Sequence, residues 1–318
     1  MNEKDIINNF LKPLALKNLS SLKLSDDIYF DKKKKLAFSI DTYVHGIHFI
    51  SSKPKFFLKK IFRSALSDLF CKGIKPETYF LSLSINKSIV NKSWFKQFKN
   101  ILNNEQIKFN IFLGGGDTTY SSKFTITIGV LGHTNDKPVL RNGCLLNDDI
   151  YVTGNIGDSF LGLSVLKKKK NFGKFNNYFV KKYYQPDLSV KIVPFLKDIA
   201  TSSIDISDGL PNDLKALFVN SKYGSCINLN ILPVSKYCKK LIISKKISLL
   251  NIFSKGDDYQ ILFTSKKKNK SKIIKISKKL NTKITRIGEV VKKKNIIFKH
   301  NNKKFKLDAK NMGYTHRF

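Results

Sequence analysis

No run of about 18 or more uncharged apolar residues occurs in this 318-residue chain, so the sequence offers no membrane-spanning helix. Cysteine is sparse. Cys71, Cys144, Cys226 and Cys238 stand far apart without a CxxC pair, a pattern of reduced thiols in a cytoplasmic protein rather than of disulfides or zinc ligands. The opening Met1-Asn2-Glu3-Lys4-Asp5 lacks the basic-then-apolar order of a secretory leader. No GxxxxGK[ST] phosphate loop, protein-kinase motif set or HExxH is present. His45 and His48 have the spacing of a metal pair, but no third nitrogen or sulfur ligand follows. Acids are few: 23 Asp+Glu stand against 59 Lys+Arg, for a net charge of +36. Such a balance invites a nucleic-acid reading. However, the excess is almost all lysine, in runs at 32–35, 167–170, 266–268 and 292–294, and arginine is scarce. Arginine is the better bidentate reader of phosphate and guanine. The lysines therefore read as solvated surface, and no specific nucleic-acid partner is expected. Any residual binding should be sequence-independent and salt-sensitive.

What is present suffices for packed cores: 42% of residues are hydrophobic and 12% aromatic. The length fits two domains. Apolar β-branched runs alternate with amphipathic stretches. Strands are expected at 36–43, 79–85, 109–113 and 124–131, with helices at 56–72 and 93–103. A second half begins near Arg141. There the pattern predicts strands at 149–153, 203–206, 226–230, 259–264, 284–287 and 296–298. Helices are expected at 158–166, from Pro186 to about 200, after Gly209, and before Leu280. The fold class is mixed α+β, with sheet and helix in both halves.

In so basic a chain the position of each carboxylate is informative. Asp residues stand beside Gly, Ser and Thr at strand ends: Asp26-Asp27, Ser39-Ile40-Asp41, Ser67-Asp68, Gly114-Gly115-Gly116-Asp117, Asp205-Ile206-Ser207-Asp208-Gly209 and Gly256-Asp257-Asp258. Short carboxylates, hydroxyls and carbonyls are hard oxygen ligands that suit Mg²⁺, which takes the rest of its shell from water and substrate phosphates. Taken singly, each motif is also what a surface turn or helix cap looks like, and Ser207-Asp208-Gly209 could simply cap a helix. Asp68 is harder to read that way, because it lies between Leu66 and Leu69 in an amphipathic helix. The glycine run before Asp117 allows close approach of backbone to a phosphate, or a tight turn.

Read in order, these motifs resemble the thiamine-monophosphate kinase family, within the superfamily of aminoimidazole ribonucleotide synthetase and selenophosphate synthetase. The matching stretches are Ser25-Asp26-Asp27, residues 39–49, Leu66-Ser67-Asp68-Leu69, Gly115 to Thr119, Leu140-Arg141-Asn142-Gly143, Tyr151 to Gly154 with Gly157-Asp158-Ser159, residues 204–210, Gly256-Asp257-Asp258-Tyr259, Ile287-Gly288 and the tail from Gly313 to Phe318. Departures from the family pattern are Ser25 for Gly, Ile40 for Thr, Ala65 for Asn, Asp257 for Glu and an inserted-looking Arg317.

The resemblance implies a two-domain aminoimidazole ribonucleotide synthetase-like fold. Residues 1–138 would bind metal and ATP and pair their sheet in a homodimer; residues 139–318, an α/β domain, would complete the substrate site. It implies several Mg²⁺ ions held by Asp27, Ser39, Ile40, Asp41, Asp68, Asp117, Asp205 and Asp208. It implies ATP contacts from Gly116, Asp117, Arg141 and Ser207, and thiamine monophosphate contacts from His48, Asp257 and Tyr314. The implied reaction is transfer of the ATP γ-phosphoryl group to the substrate's phosphate, with no general base. Two rivals stay open: another ATP-dependent member of the superfamily acting on a different small molecule, and a basic nucleic-acid-binding protein without catalysis.

Overall fold

The computed structural model describes residues 3–89, 91–307 and 313–314. Two short helical turns, α1 (Glu3–Ile6) and α2 (Lys12–Ala15), lead into a five-stranded sheet. Its strands are β1 (Tyr29–Asp31), β2 (Leu36–Val44), β3 (Thr78–Ile85), β4 (Phe112–Tyr120) and β5 (Thr125–His133), in the order β1-β2-β5-β3-β4. Helices α3 (Leu58–Cys71) and α4 (Lys92–Phe109) lie between them in the chain.

The period of two decides the faces of this sheet. Along β2, Ala37, Ser39 and Tyr43 are buried, while Ile40 between them is 61% exposed. Ile126, Ile128 and Val130 of β5 and Tyr79, Leu81 and Leu83 of β3 continue the buried face. Helix α3 covers that face, because Leu58, Ile61, Phe62, Ala65, Leu66, Leu69 and Phe70 recur at three- and four-residue spacing and join the same core. The opposite face exposes Ile40, Phe80 and Phe112.

The second sheet has seven strands in the order β12-β11-β8-β10-β6-β9-β7. They are β6 (Asp149–Thr153), β7 (Ser202–Asp205), β8 (Gly224–Asn228), β9 (Ile261–Ser265), β10 (Ile284–Val291), β11 (Ile296–His300) and β12 (Lys303–Phe305). Helices α5 (Asp158–Leu166), α6 (Asn176–Tyr184), α7 (Val193–Ile199), α8 (Leu210–Leu217), α9 (Lys236–Ile243), α10 (Leu249–Ile252) and α11 (Lys270–Leu280) complete it. This is the mixed α+β architecture expected. The halves are not sealed from one another: Cys71 of α3 packs in one cluster with Tyr151, Ile199 and Phe263. Among the described residues no helix is long and apolar enough to cross a membrane.

Two expectations need correction. The helix placed at 93–103 runs on to Phe109, because Leu102, Glu105 and Phe109 keep the buried spacing; Asn110, left-handed at φ 51°, then ends it. The strand therefore starts at Phe112 and passes through the glycine run instead of stopping before it. Glycine is required there by close approach: a Cβ on Gly116 would lie 1.8 Å from the Leu81 carbonyl oxygen. The helix placed from Pro186 is also different. Residues 186–189 form an irregular connection, with the Pro186 carbonyl accepting from Arg63 Nη1 at 2.9 Å and the Asp187 carbonyl from Gln260 Nε2 at 2.6 Å. The helix proper starts at Val193, with Pro194 in its first turn, and a separate α6 precedes the connection.

Candidate active site

The carboxylates meet where the C-terminal half of α3 passes between the two sheets. Strand β2 turns Ser39 and Asp41 toward the helix, and Ser39 Oγ donates to Asp68 Oδ2 at 2.5 Å. One residue earlier on the helix, Ser67 Oγ donates to Oδ2 of Asp205, at the end of β7, at 2.7 Å. Tyr43 OH donates to Asp41 Oδ2 at 2.8 Å. From the segment before β1 come Asp26 and Asp27. Lys72 Nζ lies 2.9 Å from Asp26 Oδ1 and 2.7 Å from Asp27 Oδ2, and it also donates to the Ser203 carbonyl at 3.0 Å. Arg141 donates its backbone N–H to Asp26 Oδ2 at 2.7 Å, and its guanidinium grips Asp27 through Nε, at 3.0 Å, and Nη2. Donor atoms of Asp27, Cys71 and Asp205 all lie within 4.8 Å of one another.

The electrostatics of this cluster ask for a cation. Burial, then the charges of Asp41 and Asp205, push the Asp68 carboxyl well up, against the Ser39 hydrogen bond and the Lys72 charge. Burial likewise raises Asp41 and Asp205, each partly offset by its hydroxyl partner. Burial and the neighbouring Asp208 and Asp205 raise Asp213 well above the carboxylate range. Crowded acids of this kind ionise fully only when positive charge joins them. The oxygen donors of Asp27, Asp41, Asp68 and Asp205 suit a hard divalent ion. Burial pushes the Cys71 thiol well up, which leaves it a poor ligand.

Two loops frame the other side. Ile206 to Gly209 follows β7, and residues 254–259 run against it: Asp257 N–H donates to the Ser207 carbonyl and Tyr259 N–H to the Ile206 carbonyl, each at 2.8 Å. Gly256 makes this approach possible, since a Cβ there would sit 1.9 Å from the Ser207 carbonyl oxygen. Asp257 and Tyr259 are both left-handed, at φ 71° and 51°. Non-glycine residues in that region mark a held conformation. Lys60 Nζ ties Asp257 Oδ1 (2.8 Å) to the His48 carbonyl (2.9 Å) and lies over the Tyr183 ring. His48 Nδ1 accepts from the Val44 N–H at 2.9 Å. A cavity of about 110 Å³ opens beside Asp257, edged by Asp158, Asp187 and Asp258. Tyr314 N–H donates to the Asp208 carbonyl at 3.1 Å, and the Tyr314 carbonyl accepts from Asn212 at 2.6 Å.

Of the expected residues, Asp27, Ser39, Asp41, Asp68, Arg141 and Asp205 thus share one cluster. Ser207, Asp208 and Tyr314 border it, and His48 and Asp257 form a second station joined by Lys60. Three stand apart. Ile40 points to the opposite face of the first sheet. Asp117 pairs across the sheet with Ser82, then Thr127, then Thr42, so it shares that opposite face. At about 4.8 Å per strand it stands roughly 14 Å from β2. Gly116 lies beside it on β4. Residues 315–318 of the tail lie outside the described residues. Sequence reading missed Lys60, Ser67, Lys72 and Asp213 as site residues; Ser67 and Asp213 carried a signal in their neighbours Asp68 and Asp208, but the two lysines were hidden among so many.

Comparison with known proteins bears on the family and the fold. A family model, AIR synthase related protein, N-terminal domain, matches residues 25–134. Thiamine-monophosphate kinase of Buchnera aphidicola subsp. Schizaphis graminum is 39% identical over 328 residues, covering 99% of this chain and 98% of that protein. The enzyme of the same name from Escherichia coli strain K12 is 31% identical, over 81% of this chain and 80% of its own. Among solved structures, AaThiL complexed with AMPPCP and TMP superposes with a TM-score of 0.82 at 26% identity, covering 100% of this chain and 99% of that one.

Proposed function

The chain belongs to the thiamine-monophosphate kinase family, and from that premise we propose that it transfers the γ-phosphoryl group of ATP to thiamine monophosphate, giving thiamine diphosphate and ADP. The observation that carries this reading is the cluster of Asp27, Asp41, Asp68 and Asp205, drawn from both halves of the chain and met by Arg141. A surface turn or helix cap has no use for carboxylates so crowded that burial and mutual repulsion raise them.

The attacking group is a phosphate oxygen, already anionic at neutral pH, so the site needs no general base. The difficulty is bringing two polyanions together, and positioning plus electrostatics supply the catalysis. Asp27, Asp41, Asp68 and Asp205 would hold Mg²⁺, with the Ser39 hydroxyl, the Ile40 carbonyl and Asp208 as further candidates; Asp117, three strands away on the opposite face, would not share these ions. Bound there, Mg²⁺ supplies charge neutralisation and in-line alignment. Ser39 and Ser67 orient the carboxylates through the hydrogen bonds they donate. Arg141 offers a planar fork that can leave Asp27 for a phosphate oxygen. Ser207 presents backbone for close approach to the nucleotide; Gly116, on β4 away from the cluster, would act on that site only through the pairing of β4 with β3. His48, Asp257 and Tyr314 serve the thiamine side, where the acidic edge of the cavity beside Asp257 suits a cationic thiazolium ring and Tyr314 can stack on it.

A division at 138/139 would leave one sheet in each domain, and the homodimer would form by burying the exposed apolar face of the first sheet, where Ile40, Phe112 and Phe80 are 61%, 53% and 37% exposed. Cytoplasmic residence fits the soluble substrates. The test is direct: purified protein with ATP and Mg²⁺ is incubated with and without thiamine monophosphate, and thiamine diphosphate and ADP are quantified. Folded protein that forms no diphosphate at saturating substrates refutes the reading. Light scattering at micromolar concentration checks the dimer, and a monomer refutes that part alone.

A further inference from the structure

Lys72 follows the last turn of α3, and its side chain is fully enclosed, with 0% exposure. All three of its donors are engaged: Asp26 at 2.9 Å, Asp27 at 2.7 Å and the Ser203 carbonyl at 3.0 Å. The arrangement joins the segment before β1, the end of α3 and the start of β7, so part of its role is to fasten the two halves together.

Fastening does not account for which atom it holds. Asp26 alone would satisfy a buried ammonium. Lys72 instead shares itself with Asp27, whose carboxylate belongs to the group converging with Cys71 and Asp205. Asp27 is gripped by Arg141 from the other side, and Asp26 fixes the Arg141 backbone. The result is a chain of alternating charge, Lys72 to Asp26 and Asp27 to Arg141, along the floor of the carboxylate cluster. Asp68 and Asp205 lie within range of the same ammonium.

Resting on the reading of this cluster as a metal and phosphate site, we propose that Lys72 is a positioning residue that serves as a resident counter-cation. It keeps Asp26 and Asp27 in place without metal, and it lowers the affinity of the nucleotide-free site for a divalent cation, so that metal enters with the nucleotide. The physics is competition. A unit positive charge at hydrogen-bond distance cancels much of the field that a second cation would feel at Asp27. Nucleotide phosphates bring their own negative charge and restore that field. They also give Arg141 a new partner, and Lys72 stays behind to keep Asp27 neutralised while Arg141 moves.

The test uses the full-length protein with Lys72→Met, which keeps length and removes charge. Free Mn²⁺ is followed by electron paramagnetic resonance in titrations without nucleotide, and melting temperature is measured with and without Mn²⁺. The variant should melt lower than wild type in metal-free buffer. It should bind Mn²⁺ about tenfold or more tightly, the effect expected when a charge in contact with a carboxylate is removed, and Mn²⁺ should raise its melting temperature by more than it raises that of wild type. A purely structural lysine predicts the lower melting temperature without the tighter binding, so a folded variant with unchanged or weaker Mn²⁺ affinity overturns the proposal. Asp26→Asn provides the opposite perturbation and carries the test if Lys72→Met does not fold. It leaves Lys72 with Asp27 as its one paired carboxylate and should weaken Mn²⁺ binding; unchanged or tighter binding overturns the proposal. Lys197→Met removes a lysine paired with Asp136 on the surface, away from this cluster, and should leave Mn²⁺ affinity unchanged. Tighter Mn²⁺ binding by Lys72→Met in a protein that leaves thiamine monophosphate unphosphorylated supports the proposal and defeats the substrate reading. Failure of wild type and variants to bind Mn²⁺ even with ATP present defeats both.

Discussion

Replacing Asp68 by Asn removes one negative charge from the middle of the carboxylate cluster while keeping the side-chain volume and one oxygen. Ser39 Oγ, 2.5 Å from Asp68 Oδ2, can donate to the amide oxygen as well, so the local hydrogen bond survives. What is lost is the charge that balances a divalent ion on the transferring phosphoryl group. Removing one such electrostatic contact from a transition state typically costs about 3–4 kcal/mol, a factor of roughly 100 to 1,000 in turnover. Stability should move the other way. In the metal-free protein burial, Asp41 and Asp205 hold the Asp68 carboxyl well above its ordinary value. The folded state therefore binds more protons than the unfolded chain once pH rises past about 3.9. Stability is lost from there up to the folded value and stays lost at higher pH. Asn does not titrate, so metal-free Asp68→Asn should melt above wild type at neutral pH, and the difference should vanish below about pH 4. Added Mg²⁺ should close the gap by stabilising wild type more. A coupled assay of ADP release with thiamine monophosphate gives the rate, and melting curves from pH 3.5 to 8 in chelator give the stability. Near-normal turnover, or a melting temperature that falls at neutral pH, would refute the reasoning.

Three further perturbations probe separate parts of the molecule. Arg63→Met strands the buried Glu105, whose two oxygens accept from Arg63 at 2.7 and 2.9 Å; a loss of about 3–5 kcal/mol is expected in urea denaturation, and a loss under about 1 kcal/mol would show the pair to be dispensable. Gly116→Ala places a Cβ 1.8 Å from the Leu81 carbonyl oxygen, so β4 must separate from β3; ATP should bind more weakly and the protein should melt lower, and wild-type values of both would contradict the strand pairing described. Lys60→Met breaks the link between Asp257 and the His48 carbonyl; KM for thiamine monophosphate should rise about tenfold, by loss of roughly 1.4 kcal/mol of binding, with kcat changed less, and a fall in kcat alone would move Lys60 out of the substrate station.

Much of this site was legible in the sequence because lysine occupies so much of the remaining surface. An Asp between Leu66 and Leu69 stood out against that background, and the structure gives Asp68 a hydrogen bond from Ser39 and the nearby charges of Asp41 and Asp205 that explain it. The same background concealed Lys72 and Lys60. A buried lysine differs from a solvated one only by what surrounds it in space, and neither neighbour in sequence reveals Asp26 or the His48 carbonyl. The strand at the glycine run was misplaced for a related reason. Local propensity disfavours glycine in a strand, but β4 approaches Leu81 so closely that a side chain at 116 cannot fit, and only the tertiary pairing shows this. The separation of Asp117 from the other acids follows from strand order, which a single sequence does not encode locally. By contrast, helices such as α3 and α8 were plain from their apolar spacing and from Gly209 and Pro211 at the start of the latter.

Twelve of the fourteen residues of α3 are buried, and the helix is fastened at both ends by lysines that reach across to other segments. Its amide hydrogens should therefore be among the slowest to exchange with deuterated solvent, opening only when the whole chain unfolds. Because Ser67 and Asp68 ride on that helix, no partial opening can disassemble the carboxylate cluster and spare the rest. Loss of activity on heating should then coincide with loss of the fold, without an inactive folded species in between. Deuterium uptake in α3 on the timescale of loop exchange would show instead that the helix can leave while the sheets remain.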